Sequence, residues 1–427
     1  MSRLARLIVI SLSVLVLSYV GLGYVLGKTA EDKTYRSLTV FGEVLQHIQQ
    51  DYVEEPNLPL VTAGALHGLL ESLDPMSSYL SPREYNDYKQ KLQSGPRAEV
   101  GATLSKRFGY IVVVSVLPDS AAAKAGLRYG DLLEAIAGFT TREMSVGQAQ
   151  ILLAGEPGTV VNVAVVRRGH TEPQDLEMIR AQLPSTHVLA DKVTPDVAYI
   201  RVPTFDAGKT SELRDKLLQF DRQGIRKLVL DLRDCGRGET SEAVAAARLF
   251  LTSGTIATVR GQTVTRQEFA AEPTKAVWKH PMTVLISGST SGAAEILAAG
   301  IGGNKRGELV GTRTFGTASE QKLIPLEDGA AVVLTVANYY ATGGKSIAEE
   351  GVVPTEVVRA SVEDQADSGD EEAPPVPQAG QPTWRLPSPE DPVLKKAIEL
   401  LKGDTHKAAS HLVPVLHYRS QAIAGPA

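Results

Sequence analysis

The sequence predicts a multidomain α+β/α-β chain built from pieces of different class in series. Three observations carry this. Leu7 to Gly27 is a charge-free apolar run. Val100 to Gly169 holds short β-branched stretches punctuated by Gly, the pattern of a small β-rich module. Val197 to Val358 alternates apolar strand-like and helix-like segments, which argues for an α/β layered core. The boundaries fall at 1–28 (apolar helix), 29–97 (helical region), 98–185 (β-rich module), 186–360 (layered core), 361–390 (acidic, Pro-rich linker) and 391–427 (C-terminal helix and tail).

Composition bounds the function. The chain has 427 residues, 43% hydrophobic and 22% charged, which is ordinary globular composition. A net charge of -5 gives no reason to expect a nucleic-acid partner. One cysteine, Cys235, excludes an intrachain disulfide and a multi-cysteine metal site. The eight histidines show no paired ligand spacing, and His47, His67 and His411 read as residues of helix faces. No metal and no cofactor is expected.

Leu7 to Gly27 follows Arg3 and Arg6 and precedes Lys28, Glu31, Asp32 and Lys33. A helix of that length spans roughly 30 Å of hydrocarbon. It is longer than a typical signal-peptide core and lacks a clean cleavage site, so an uncleaved single-pass inner-membrane anchor is expected. The arginines place the short N-terminal side in the cytoplasm and the bulk of the chain outside. A cleaved signal peptide gives the same compartment.

Tyr35 to Tyr52 carries Leu38, Phe41, Val44, Leu45 and Ile48 at helical spacing, and Leu60 to Leu73 repeats the pattern after Pro56 and Pro59. A Pro- and Ser-rich turn, Leu73-Asp74-Pro75-Met76-Ser77-Ser78-Tyr79-Leu80, follows. Beyond it, Ile111 to Val116 reads as a strand. Pro118 to Leu127 reads as a short helix ending at Gly126, and Gly130 to Ile136 as a turn into a strand. Ser145 to Leu153 reads as a helix and Thr159 to Val166 as a last strand. In the core, Ala198–Val202, Lys227–Arg233 and Thr283–Ile286 read as strands. Lys209–Arg222, Ser241–Leu251 and Ala293–Ala299 read as helices. Ala330 to Val336 leads into Ala337-Asn338-Tyr339-Tyr340. Glu363, Asp364, Asp367, Asp370, Glu371 and Glu372 open a segment too polar to order itself. Pro392 to Leu401 returns as a short helix.

The order Ala125-Gly126-Leu127 then Gly130-Asp131 resembles the PDZ modules of envelope proteases. That resemblance implies binding of peptide C-termini by strand addition. Gly101, Ala102, Thr103 and Leu104 would form the carboxylate loop, and Gln148, Ile151 and Leu152 the helix side of the groove. The alternative is that the module only braces the chain.

Ser287-Gly288-Ser289-Thr290-Ser291-Gly292-Ala293-Ala294-Glu295-Ile296, followed by Val310-Gly311-Thr312-Arg313-Thr314-Phe315-Gly316-Thr317, places a small-residue turn between a strand and a helix. Such a turn is the usual seat of a nucleophile. This frame resembles the active site of the carboxyl-terminal processing (tail-specific) serine peptidases, whose core is related to the crotonase superfamily. The Leu73–Leu80 turn, Tyr339 to Ile347 and Gly351 to Pro354 are similar to that family as well, so the likeness runs from about Tyr35 to Val358.

The family has Ser-Ala-Ser-Ala-Ser-Glu-Ile at the turn, its middle Ser the nucleophile, and a Lys in Lys-Thr-Phe-Gly-Lys-Gly as general base. Aligned on Glu295-Ile296 the nucleophile position is Gly292. Aligned on Thr314-Phe315-Gly316 the base position is Thr317. Gly292 has no side chain to attack with, and a threonine hydroxyl is no base near neutrality. Gln321 holds the place of the residue that orients the Lys. The loop whose backbone helps build the oxyanion hole is Asn-Asn-Pro-Gly-Gly in the family. Here it reads Asp234-Cys235-Gly236-Arg237-Gly238, with Arg237 where a small residue belongs.

The expected function is therefore that of a pseudoprotease holding peptide or protein C-termini through its PDZ module. The alternative is an active serine endopeptidase using a relocated pair from Ser289, Ser291, Ser319 and Lys322, with Ser291 and Lys322 the leading substitutes. Cys235 has no base near it in sequence. A crotonase-like acyl-CoA enzyme is disfavoured by the PDZ segment. By resemblance, a homo-oligomer or a hetero-oligomer with an active paralogue is expected.

Overall fold

The computed structural model describes residues 3–93, 98–359 (except 108, 143, 168 and 171) and 387–410 (except 389), without the side chains of 3–10, 20–35, 91–93, 349 and 404–410. The expected acidic linker lies outside these residues save for 387, 388 and 390, as does the tail after Ser410. Met1–Leu66 and His67–Ala427 form two units.

In the first unit one helix, α1, runs from Arg3 to Asp51, where two segments were expected. Most of the Leu7–Gly27 run lies outside the described side chains. Among the described residues no helix is long and apolar enough to cross a membrane. The described side chains of that run, 11–19, cover less than half of the ~20 residues a span needs. The expected inner-membrane anchor, and the extracytoplasmic placement that rested on it, are withdrawn. Helix α2, Leu58–Glu71, begins in this unit and ends in the next.

The second unit starts with β1 (Ser78–Leu80) and α3 (Pro82–Gln93). The PDZ-like module follows as β2 (Ala102–Arg107), β3 (Tyr110–Val116), α4 (Ala121–Lys124), β4 (Leu132–Ile136), β5 (Phe139–Thr140), α5 (Val146–Leu153), β6 (Val160–Val166) and β7 (Gln174–Ile179). Its sheet has the order β2-β3-β4-β6-β7, so β2 is an edge. Helix α5 starts on a capping box. The Ser145 hydroxyl accepts from Gln148 N and the Gln148 side chain accepts from Ser145 N. Alternate residues of β3 and β6, among them Ile111, Val113, Val161, Val163 and Val165, pack with Leu104, Ala149 and Leu153 into one apolar cluster.

The core contributes β8 (Leu189–Thr194), β9 (Val197–Arg201), α6 (Lys209–Arg222), β10 (Lys227–Asp231), α7 (Thr240–Arg248), β11 (Thr255–Arg260), β12 (Gln267–Ala270) and β13 (Met282–Ile286). It continues with α8 (Ala293–Gly303), β14 (Glu308–Gly311), β15 (Ser319–Pro325), β16 (Ala331–Tyr340), α9 (Ile347–Glu350), β17 (Glu356–Val357) and α10 (Pro392–Ser410). One sheet has the order β17-β14-β13-β10-β9-β8, parallel except for β8. Its central strands are buried on both faces, as parallel strands under helices must be.

The two-residue period sorts these faces. Ala198, Ile200, Leu228, Leu230, Val284 and Ile286 meet α6, α7 and α8 through Leu213, Leu217, Val244, Ile296 and Leu297. Val197, Tyr199, Val229, Leu285 and Val310 meet α10 through Val393, Leu394, Ala397 and Leu401. Asp391 caps α10 by accepting from Val393 N and Leu394 N, and takes a 2.7 Å bond from Arg233 at the end of β10. The C-terminal helix, longer than expected, thus closes the sheet that carries the site. A second sheet has the order β1-β16-β11-β12 with β15 on β16.

Candidate active site

The turn expected to seat a nucleophile leaves β13, all of whose residues are buried, and enters α8. Thr290 fixes it. Its hydroxyl donates to Leu232 O at 2.9 Å and accepts from Ser287 N at 3.1 Å. At the apex Gly292 has φ 59 and ψ -118, a backbone open to glycine and strained for other residues. A Cβ there would meet nothing within 4 Å. The turn therefore keeps the geometry that lifts a side chain clear of a strand–helix elbow, and presents none.

Glu295, in the first turn of α8, is fully buried and binds both halves of the frame together. Oε2 accepts from Gly292 N (2.9 Å) and Thr317 N (2.8 Å), and Oε1 from Thr314 Oγ1 (2.5 Å) and Gly316 N (2.6 Å). Burial pushes its carboxyl above the ordinary range, and these donors pull it part of the way back. Gly292 N also donates to Thr317 Oγ1 at 3.1 Å. The two positions inferred from separate alignments are hydrogen-bonded neighbours in space. What meets there is a backbone amide and a threonine hydroxyl.

The facing loop is equally committed. Asp234, at φ 60, accepts from Arg201 at 2.6 Å. It also accepts from Ser289 Oγ at 2.7 Å and donates its N–H to that hydroxyl at 3.1 Å. Cys235 is fully buried, and burial pushes its thiol far above the usual range. A Cβ on Gly236 would lie 2.2 Å from Ser115 Oγ and 2.8 Å from Ser291 Oγ, so only glycine fits without displacement. Gly238, at φ 119, lies against the Phe205 backbone. Arg237 turns its guanidinium away to Glu99, with bonds of 3.0 and 3.2 Å.

That ion pair is one of several contacts that seat the PDZ-like module on the site. Thr103 Oγ1 donates to Gly236 O at 3.4 Å. Arg107 lies 4.1 Å over the Phe315 ring and donates to its carbonyl at 3.3 Å. A Cβ on Gly288 would run into the Tyr129 ring and hydroxyl. Sequence reasoning missed these contacts and the role of Glu295. The signal for Glu295 was the buried acid in an otherwise apolar helix opening.

Among the described residues no hydrogen bond joins Ser291 to Lys322. Ser291 is 1% exposed and gives its N–H to Cys235 O. Ser289 is bound to Asp234, and Ser319 Oγ donates to Thr317 O at 3.2 Å. Lys322 is exposed on β15, paired with Leu334, and Gln321 donates to Ser319 Oγ at 2.8 Å. A lysine acts as base when withdrawn from water. Among the described residues no cluster of His, Cys, Asp and Glu is arranged to hold a metal.

In the module, Gly101 has φ 84 and its missing Cβ makes room for Ser120. Ala102 and Thr103 are half-buried, and Leu104 joins the apolar cluster. Ile151 and Leu152 are half-buried on α5, while Gln148 is bonded to Ser145 and to Glu84.

Residues 196–358 match the model of peptidase family S41, and residues 112–167 match a PDZ domain. The chain is 30% identical to a carboxy-terminal-processing protease of Bartonella bacilliformis, over 77% of this chain and 76% of that one. It is 30% identical to a carboxyl-terminal-processing protease of Synechocystis sp., over 85% and 83%. The structure of a photosystem II D1 C-terminal processing protease superposes with a TM-score of 0.63 at 25% identity, covering 75% of this chain and 92% of that one.

Proposed function

This chain belongs to peptidase family S41, the carboxyl-terminal processing proteases with a PDZ domain, and from that premise we propose that it binds peptide C-termini without cleaving them. The observation that carries the reading is the elbow itself. Gly292 and Thr317 meet at 3.1 Å in an intact frame, and neither brings the group the reaction needs. Loss of either member of such a pair costs on the order of a million-fold in rate. Binding would fall to the PDZ domain, whose edge strand β2 and helix α5 offer the walls for strand addition. No observation favours cleavage through Ser291 and Lys322, one buried and one exposed.

The test is calorimetry with the full chain and a decapeptide ending in Ala-Leu-Val, free or amidated at its C-terminus. The free peptide binds, and the amide binds about tenfold or more weaker, roughly 1.4 kcal/mol. Equal binding of the two would remove the carboxylate loop from the account.

A further inference from the structure

The chain's own Glu71–Glu84 segment is bonded to strand β2 and helix α5 of the PDZ domain. We infer that this segment is a lid, and that the closed protein grips only the last few residues of a peptide tail. The inference rests on the groove reading given above.

Among the described residues, strand β2 pairs with β3 on one side only, so its other edge is the row a peptide would join. A tail with its carboxylate at Gly101–Leu104 runs antiparallel to β2. At ~3.4 Å per residue it reaches the level of Lys106 about two to five residues upstream. Leu104 and Lys106 alternate onto the same side of the strand, the side that α5 covers. There the groove stops being open. Lys106 is 7% exposed, unusual for a lysine on an edge strand, because its ammonium is ion-paired with Glu71 at the end of α2. On the opposite wall, Gln148 in the first turn of α5 donates to Glu84 in α3. Next to Gln148 on α5, a Cβ on Gly147 would lie 3.8 Å from Ser78 Oγ and 4.0 Å from Leu80 Cδ2. One segment thus touches both walls.

The segment hangs from the peptidase core rather than from the PDZ domain. Asp74 accepts from Met76 N, Ser77 N and Thr335 Oγ1, and Ser77 Oγ accepts from Thr335 N. Strand β1 pairs with β16 from Ser78↔Val333 to Leu80↔Ala331. Breaking the two contacts to the PDZ walls would leave this attachment whole. The Leu73–Leu80 turn, which the sequence marked without assigning a chemical role, is then the mount of the lid. A longer peptide must displace Glu71 and Glu84. A short one need not.

The experiment compares acetyl-Ala-Leu-Val with a decapeptide of the same C-terminus, by calorimetry on the full chain and on Glu71→Ala/Glu84→Ala, which removes both acceptors. The wild type binds both with affinities within about threefold. The double variant binds the decapeptide about tenfold tighter than the tripeptide, whose affinity is unchanged. A wild type that already prefers the decapeptide tenfold, or a double variant with an unchanged ratio, overturns the lid and leaves the groove standing. Binding of neither peptide by either protein overturns the groove reading, and the lid with it.

Discussion

Replacing Glu295 by Gln changes no volume and removes one acceptor oxygen from a site that needs two. In the native frame each carboxylate oxygen accepts two bonds, Gly292 N and Thr317 N on one, Thr314 Oγ1 and Gly316 N on the other. An amide offers a single carbonyl oxygen. Whichever way it sits, its NH2 faces one backbone donor that has lost its partner, Thr317 N or Gly316 N, because Gly292 N keeps Thr317 Oγ1 and the Thr314 hydroxyl can accept from the amide. A buried group left unsatisfied costs about 1–3 kcal/mol, so the variant loses about that much. With an m-value near the top of the ~1–3 kcal/mol/M range, the urea midpoint falls by about 0.3–1 M. Fluorescence of Trp278, fully buried in the same apolar cluster as Ile296, reports it. The comparison is made at pH 8, because burial raises the Glu295 carboxyl and the wild type must be ionised. A midpoint within about 0.2 M of wild type would refute the view that Glu295 holds the nucleophile turn to the Thr314–Thr317 loop.

Three further outcomes follow from the same structure. Cys235, buried with its thiol pushed up, stays silent to a thiol reagent until urea unfolds the core; fast reaction in native buffer would contradict its placement. His67 has its imidazole held below 6.5 by burial and rests edge-on against Tyr79, so it is neutral in the fold and protonates more readily when unfolded. The stability it contributes is complete above 6.5 and drains away as pH falls through the lower folded value. The Tm therefore drops between pH 7 and 5, and His67→Gln flattens that part of the profile; an unchanged profile would assign the loss elsewhere. Asp391→Asn keeps the cap of α10 and weakens the bond to Arg233, costing about 1–2 kcal/mol, read as faster amide exchange in 392–401. Exchange at the wild-type rate would mean that apolar packing alone holds the helix.

The site was legible where its framing residues are also its fastening residues. Glu295, Thr314 and Gly316 fixed the alignment on paper, and the same residues fasten the turn to the loop in space. The layered core was legible because parallel strands such as Met282–Ile286 must be apolar on both faces, and their runs stand out. The seating of the PDZ domain was not legible. Glu99 and Arg237 are 138 positions apart, and a charged pair at that separation has no sequence signature. The turn around Asp74 showed its singularity in sequence, but its bond to Thr335 spans 261 positions, so its role as a mount was hidden. Arg237 read as a charge in the way of a backbone. In the fold it leans out to Glu99, and the loop shape is set by Gly236 and Gly238. The expected break between two N-terminal segments was not legible either, because hydropathy along the chain cannot tell where one helix ends and the next begins, and α1 runs unbroken to Asp51.

The central claim is that the elbow holds peptide chemistry's frame without its reactive groups. Mass spectrometry of an unfolded substrate incubated with the full chain tests it most directly. The substrate stays intact, and the protein takes up no fluorophosphonate. Steady cleavage by the wild type, abolished by Ser291→Ala or Lys322→Ala, would contradict the account.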